Sequence, residues 1–562
     1  MNVVEEVKRA VAYTSKGNYV SAEKIYKTIL KDFPNDPAVL SCLGLLYLNL
    51  ALFNRAKKYL QKSYNIKSLP ATVEGLGLLY FYTNKKEQAL RYFEEISDKT
   101  INMDVLDKYT DLLLEDKKYT LALKIAEKYK KLYPLSKEAE EKYGFCLMNV
   151  GKFQEAYNIF SKLVNKYPKF SKGWQKLGLI YEMYYHDEEM AKMCYENIVK
   201  CGDKFCGYSN LLINASKRFD FDDAFKYIKK IDNLIKKNNS GKKTSDLYLD
   251  VNFTKSVIYF KHRDFLKAYK YYLKKTYNLM TLKPLNKLKN IWNGKGIHKN
   301  ETLLVYLDQG IGDEIMFSRY LPLIAKNFKL IKVLDKTGKL TDLLKRSFKE
   351  YKNIVFYTYK NRMPKYDKSV IASSLPYLLK MDIDEIPLSK GYYTADNKKV
   401  TKYEKHFKTN KLKVGICWEA GSAGWRELLN RTLNISLFEP FFKVKNVEFY
   451  SFQVNPTMDN YKNYKNLINL GSTFENYDDT AGALKNLDLL ITVDTSVAHL
   501  AGALGVKTFM LLPYCPDWRW FDNDKTTEWY DSIKIYKQTH TNTWDDVIEN
   551  IKKDLEKLSK SN

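Results

Sequence analysis

Apolar positions follow two different periods along this chain. Through the first half they recur every three to four residues, the spacing of one buried helix face. An alanine stands at Ala22, Ala56, Ala89, Ala122, Ala156, Ala191 and Ala224, at steps of 34, 33, 33, 34, 35 and 33. Upstream of several of these a glycine is followed three residues later by tyrosine, in "LGLLY" ending at Tyr47 and Tyr80 and "LGLIY" ending at Tyr181. Pro34, Pro134 and Pro168 fall where one unit passes to the next. After the junction "LKPLNKLKNIWNGKGIHKN" the pattern changes to short apolar runs alternating with helical stretches. Strands are expected at 301–307, 330–334, 354–357 and 369–372, then at "VGICW", "VEFYSFQ", "LINLG", 487–493, 507–512 and "IKIY". Helices are expected at 315–326, 497–504 and 544–558, the last opened by Thr543 and the acidic turn Asp545-Asp546.

The first pattern resembles the tetratricopeptide repeat, a pair of antiparallel helices whose small Gly and Ala positions let neighbours approach closely. A weaker copy around Ala268 closes the array near residue 285. Such units bury their apolar faces only by stacking, which predicts an all-α superhelix with a concave groove. The position two before the repeat glycine, expected to face that groove, holds Cys42, Gly75, Lys108, Lys142 and Lys176. The asparagine ladder of protein O-GlcNAc transferases is absent from this register. Lys108, Lys142 and Lys176 imply instead a basic groove for an acidic or polar acceptor.

The second pattern, strands alternating with helices in two series, predicts two parallel sheets. The expected organisation is a repeat superhelix over 1–285, a linker over 286–300, one α/β lobe over 301–408, a second over 409–540 and a C-terminal helix over 541–562. With 562 residues the chain is long enough for several cores, and 45% hydrophobic and 14% aromatic residues exclude general disorder. The net charge of +27 raises nucleic acid as a partner. The lysines are spread along the whole chain without a nucleic-acid-binding motif, so no such partner is expected. Seven cysteines without CxxC spacing, an acidic start and no long apolar run predict reduced thiols in a cytoplasmic protein that does not cross a membrane.

Three stretches carry chemistry: "LDQGIGDEIMFSRYLPLIA", "VDTSVAHLAGALG" and "LLPYCPDWRW" followed by "EWY". A helix cap alone explains Asp494 or Thr495. The three stretches together, in order, resemble glycosyltransferase family 9, the heptosyltransferases, and in particular its tetratricopeptide-fused relatives. The resemblance implies a GT-B fold of two Rossmann-like lobes and an inverting, metal-independent transfer from a nucleotide sugar, an ADP- or UDP-sugar. Asp313 then matches the general base, with Gly310 and Gly312 letting backbone amides approach the substrate. Asp494, Thr495, Ser496 and His499 match the donor-binding turn, and Arg431 the basic residue facing the diphosphate, with Arg426 competing for that role. Trp418, Thr432 and Gln453 fall on the same donor side. The chain departs from the family in the loop "WEAGSAGWRELLNR" and in its short first lobe. DxD triplets at Asp220, Asp382 and Asp522 follow no strand and are expected to be surface loops. No metal site and no cofactor are expected.

These features imply transfer of a sugar to a protein acceptor such as a flagellin or adhesin, at Ser/Thr first and Asn second, with the acceptor held by the repeats. Two alternatives stand beside this: transfer to lipopolysaccharide or another glycan, and a binding scaffold with inactive lobes. The sequence leaves sugar, acceptor and oligomeric state open.

Overall fold

The structure is a computed structural model that describes residues 2–237, 246–279, 288–358, 363–421, 431–454, 464–521, 525–541 and 543–561. It divides into two compact units, 1–207 and 208–562.

The first unit is an all-helical tetratricopeptide superhelix. Antiparallel pairs run from Val3–Ser15 with Tyr19–Asp32 to Ser171–Ile180 with Glu188–Lys200. Asn18, Asp36, Asn102, Ser136 and Asp187 cap their helices with side-chain oxygens, meeting amides that the first turn leaves unpaired. Ala22, Ala56, Ala89, Ala122, Ala156 and Ala191 are each fully buried. Four residues after the alanine stands a large side chain that meets the repeat glycine. A Cβ on Gly44 would lie 2.6 Å from Leu60, on Gly77 2.5 Å from Phe93, on Gly144 2.8 Å from Phe160, and on Gly178 2.5 Å from Tyr195.

The fourth repeat inverts this pair: Thr110 replaces the glycine and Ala126 the large residue, both fully buried. The Thr110 hydroxyl is satisfied by the Leu106 carbonyl at 2.7 Å. The swap conserves volume across the helix pair. Ala126→Phe alone is therefore expected to destabilise by about 1–3 kcal/mol through overpacking. Adding Thr110→Gly should recover about 1 kcal/mol or more of it. Urea unfolding of the two single variants and the double variant checks this, and strictly additive losses would refute the pairing.

The second unit begins with helical pairs of repeat character, including Asp246–Lys261 and Phe265–Leu279, and continues into two parallel sheets. These helices were expected to end the repeat array at 285, yet they pack with the sheets. Phe260 stacks on Trp518 with ring centroids 4.2 Å apart, and Phe265 lies against Phe521 and Trp529. The loop carrying Trp518, Phe521 and Trp529 thus packs on these helices.

Strands β1 (His298–Tyr306), β2 (Phe328–Asp335), β3 (Ile354–Thr358) and β4 (Lys368–Ile371) form one sheet in the order β3-β2-β1-β4. Strands β5 (Leu412–Cys417), β6 (Val447–Ser451), β7 (Leu467–Asn469), β8 (Leu489–Val493), β9 (Thr508–Leu512) and β10 (Ile533–Lys537) form the other in the order β10-β9-β8-β5-β6-β7. Every pairing is parallel. β8 and β9 are buried along their whole length, as strands covered on both faces must be.

Three expectations change in detail. The expected linker over 286–300 lies partly outside the described residues. Its second half belongs to the first sheet, since Trp292 is buried against Phe328 and its backbone amide donates to the Ser369 carbonyl. The helix expected at 315–326 begins four residues earlier, at Ile311, and breaks into Ile311–Ser318 and Leu321–Ala325 ahead of Pro322. The DxD triplets at Asp220 and Asp382 are capping residues, whereas Asp522 lies outside the described residues.

Candidate functional site

In each sheet the strand order reverses once: between β1 and β4 in the first, and between β5 and β8 in the second. Open parallel sheets bind ligands at the carboxyl ends of the strands flanking such a reversal. The sequence-predicted residues lie at both places.

β1 runs out into Asp308, Gln309 and Gly310. Asp308 is buried and accepts from the Ser373 amide at 3.0 Å and the Ser373 hydroxyl at 2.6 Å, joining the ends of β1 and β4. Burial pushes its carboxyl up to about 6, against the pull of those two bonds. Gln309 takes a left-handed φ of 70°, turning the chain so that Gly310 can cap the helix Ile311–Ser318. Asp313 Oδ2 reaches back to the Gly310 amide at 3.3 Å.

β8 runs out into Asp494, Thr495 and Ser496. Thr495 caps the helix Ser496–Ala503, and the Ser496 hydroxyl lies 2.7 Å from that of Tyr477. Arg431 Nε donates to the Asp494 carbonyl at 3.0 Å and stands 3.3 Å from its carboxylate, with part of the guanidinium exposed. Burial raises the Asp494 pKa while Arg431 opposes the rise. Thr432 pairs in a β-bridge with Glu419, and its buried hydroxyl has no hydrogen-bond partner among the described residues.

The two turns meet. Gly312 abuts the His499 ring so closely that a Cβ there would stand 2.9 Å from Cδ2. His499 is buried, stacks on Trp520 at 5.0 Å and shares a 3.0 Å hydrogen bond through Nδ1 with the Tyr530 hydroxyl. Burial first, then Arg519 and Arg431, hold its pKa well below the ordinary value, so the ring is neutral near pH 7. It offers a hydrogen bond to a ligand and no positive charge.

The cation of this seam is Arg519. Its Nε and Nη2 reach Asp313 Oδ1 at 2.8 and 2.7 Å, and its Nη1 reaches Asp517 Oδ1 at 2.7 Å. Burial would pull its proton off, but the two carboxylates hold it on. Next to Asp313, Glu314 is almost fully buried, and among the described residues neither of its carboxylate oxygens is hydrogen-bonded. Arg319 braces the arrangement from behind. Fully buried, it donates to the Pro387 and Trp529 carbonyls and lies over the rings of Tyr392, Trp529 and Tyr530.

Trp418 and Gln453, expected on the donor side, bond to the chain itself. Trp418 is buried in the core of the second sheet, and its indole N–H donates to Glu419 at 3.1 Å. Gln453 spends its amide on the chain itself: Oε1 accepts from the Trp418 and Glu419 amides, and Nε2 donates to the Glu419 carbonyl. Both shape the turn after β5. Arg426 lies outside the described residues.

In the superhelix, the lysine register is neutralised by its neighbours. Lys108 pairs with Asp107 at 2.8 Å, Lys142 with Asp107 at 3.0 Å and Asp111 at 2.5 Å, and Lys176 stands 3.7 Å over Phe145 and 3.9 Å from Glu141. Burial works against the charge of Lys142, and the carboxylates more than restore it. The lysines expected to make a basic groove stand among carboxylates and a ring.

Sequence reasoning quoted the loop "LLPYCPDWRW" but assigned no role to Asp517 or Arg519. Nor did it single out Asp308 or Glu314, although both flank the glycine turn. No local signal distinguishes them, because each acquires its meaning from a residue far along the chain. Among the described residues no group of three or more His, Cys, Asp or Glu could hold a metal ion, and no helix is long and apolar enough to cross a membrane.

Comparisons with known proteins reach the repeats. Residues 138–169 match the pattern of the Tetratricopeptide repeat family. The chain is similar to BBSome complex member BBS4 of Bos taurus, 24% identical over 232 residues, 40% of this chain and 44% of that protein. It is similar to Protein FlbA of Caulobacter vibrioides, 22% identical over 286 residues, 45% of this chain and 46% of that protein. The chain thus spans a little under half the length of these curated relatives. Among solved structures, YrrB, described as a TPR protein with an unusual peptide-binding site, is 20% identical, covering 31% of this chain and 91% of its own at a TM-score of 0.30. A tetratricopeptide repeat protein from Parabacteroides merdae is 17% identical, covering 44% and 98% at 0.34.

Proposed function

We propose that the second unit is a GT-B-type inverting glycosyltransferase that uses an ADP- or UDP-sugar without a metal, and that the repeats recruit a protein acceptor. The observation that carries this reading is the meeting of the two turns, Gly312 against His499, at the carboxyl ends of two all-parallel sheets. The diphosphate would lie on the amides opening the helix Ser496–Ala503, with Arg431 beside it, where negative charge grows as the glycosidic bond breaks. Asp313 would accept the proton of the acceptor hydroxyl on the Oδ2 side, where only the 3.3 Å contact to Gly310 competes. Arg519 would keep Asp313 aimed and its charge balanced. A neutral His499 fits a hydrogen bond to the sugar better than one to phosphate.

The scaffold reading keeps its place because the family match falls within the repeats. Turnover with ADP- and UDP-sugars separates the two readings. Asp313→Asn is expected to lose transfer by about 100-fold or more while nucleoside diphosphate affinity stays within about twofold. Arg431→Ala is expected to weaken that affinity by about tenfold or more, the loss of a charge-assisted hydrogen bond. A folded protein that neither binds nucleoside diphosphates nor turns over either donor would leave the scaffold reading standing.

A further inference from the structure

Lys261 closes the helix Asp246–Lys261, and Cys515 stands in the loop after β9, two residues before Asp517 and four before Arg519. Lys261 Nζ lies 2.9 Å from Cys515 Sγ. That is the separation of an N–H···O bond, although sulfur is the larger atom. The lysine is 4% exposed, its remaining contacts are the Ser216 carbonyl at 3.3 Å and the Phe219 ring at 4.8 Å, and among the described residues no carboxylate pairs with it. Long cationic side chains are rarely this buried unless a carboxylate accompanies them. Here the partner is a thiol, on a residue that is itself partly exposed. Cys201 and Cys417 bond to oxygens instead.

We propose that Lys261 and Cys515 are a modification site at which a hydroperoxide joins Nζ to Sγ through one oxygen atom. The thiol is first oxidised to the sulfenic acid, and the adjacent amine is then oxidised onto that oxygen. The thiol, the amine and two molecules of hydrogen peroxide give the S–O–N linkage and three molecules of water. Sulfur and nitrogen each give up two electrons, and the two O–O bonds accept all four. The balance is the same whether the resting pair is thiol and amine or thiolate and ammonium. Two dithiol molecules return the four electrons and release water. The gap between Nζ and Sγ suits one bridging atom, so neither backbone has to move. Once formed, the bridge pins the loop carrying Asp517 and Arg519 to the helix ending at Lys261. Its consequence for transfer rests on the proposed function, but its formation does not.

The experiment treats the full chain with hydrogen peroxide, digests it with trypsin and maps the peptides by mass. The expected product is a peptide pair joining Lys261 to Cys515, two hydrogens lighter and one oxygen heavier than the separate peptides, with cleavage after Lys261 lost. Dithiothreitol should restore both peptides. Lys261→Arg, Cys515→Ser and wild-type protein oxidised in denaturing urea should each lack the product. Oxidation of Cys515 to sulfinic or sulfonic acid with Lys261 unmodified overturns the proposal, and a direct S–N linkage lacking the oxygen overturns its bridged form. These readouts need no donor or acceptor, so they remain interpretable if no transferase activity is found.

Discussion

Replacing Arg519 by methionine is expected to destabilise the protein by about 3–5 kcal/mol at pH 7, the cost of leaving buried charge without its partner. Arg519 is mostly buried and is the cation between Asp313, itself 7% exposed, and Asp517. Methionine keeps much of the apolar stem but returns no charge to either carboxylate. The loss should shrink as the pH falls below about 5, where the abandoned carboxylates take up protons. Introducing Asp313→Asn into the Arg519→Met background should recover part of the loss, whereas in the wild type it leaves Arg519 paired with Asp517. Urea midpoints of the four proteins at pH 7 and pH 4.5 measure this coupling. Additive effects, or a loss independent of pH, would show that packing around Trp518 rather than charge holds the loop.

Glu314→Gln is expected to stabilise the protein increasingly as the pH rises. Burial first, then repulsion from Asp335, pushes the Glu314 carboxyl up to about 9, with Lys336 opposing. The folded chain therefore holds a proton that the unfolded chain releases near its ordinary carboxylate range. A raised folded pKa gives stability that is full below the unfolded value and is lost as the pH rises toward 9. The slope is up to about 1.4 kcal/mol per pH unit. Glutamine has nearly the same shape and no proton to lose. The difference between wild type and variant should be small near pH 5 and should favour the variant progressively at pH 7 and pH 8.5. Parallel pH profiles would mean that Glu314 is ionised and solvated in the native state.

Both residues mark where sequence reading stopped. The ten strands were legible as short apolar runs, continuous where both faces are buried as in β8 and β9, and three stretches of helix by the three-to-four-residue recurrence, whereas the helices Thr341–Ser347, Asn397–Glu404 and Tyr477–Leu484 were not expected. The repeats were legible for a stricter reason, since each glycine must admit the large side chain of its own helix pair. That Trp418 and Gln453 turn toward the chain itself was not legible, because a motif shows that a side chain is near a turn without showing which way it faces. The lysine register carries a similar lesson: Asp107 is the sequence neighbour of Lys108, but only the packed helices bring Asp107 and Asp111 onto Lys142 and Glu141 toward Lys176.

The sequence by itself determined the periods, the turns and caps, and so the identity of the elements, because these depend on residues within a few positions of one another. The tertiary structure alone decided that the last helical pairs pack on the sheets and that Arg519 joins Asp313. It also decided that His499 is neutral and that Lys261 touches a thiol. Those facts depend on burial and on charges brought together across up to some 250 residues of chain, and no local pattern records the distance between them.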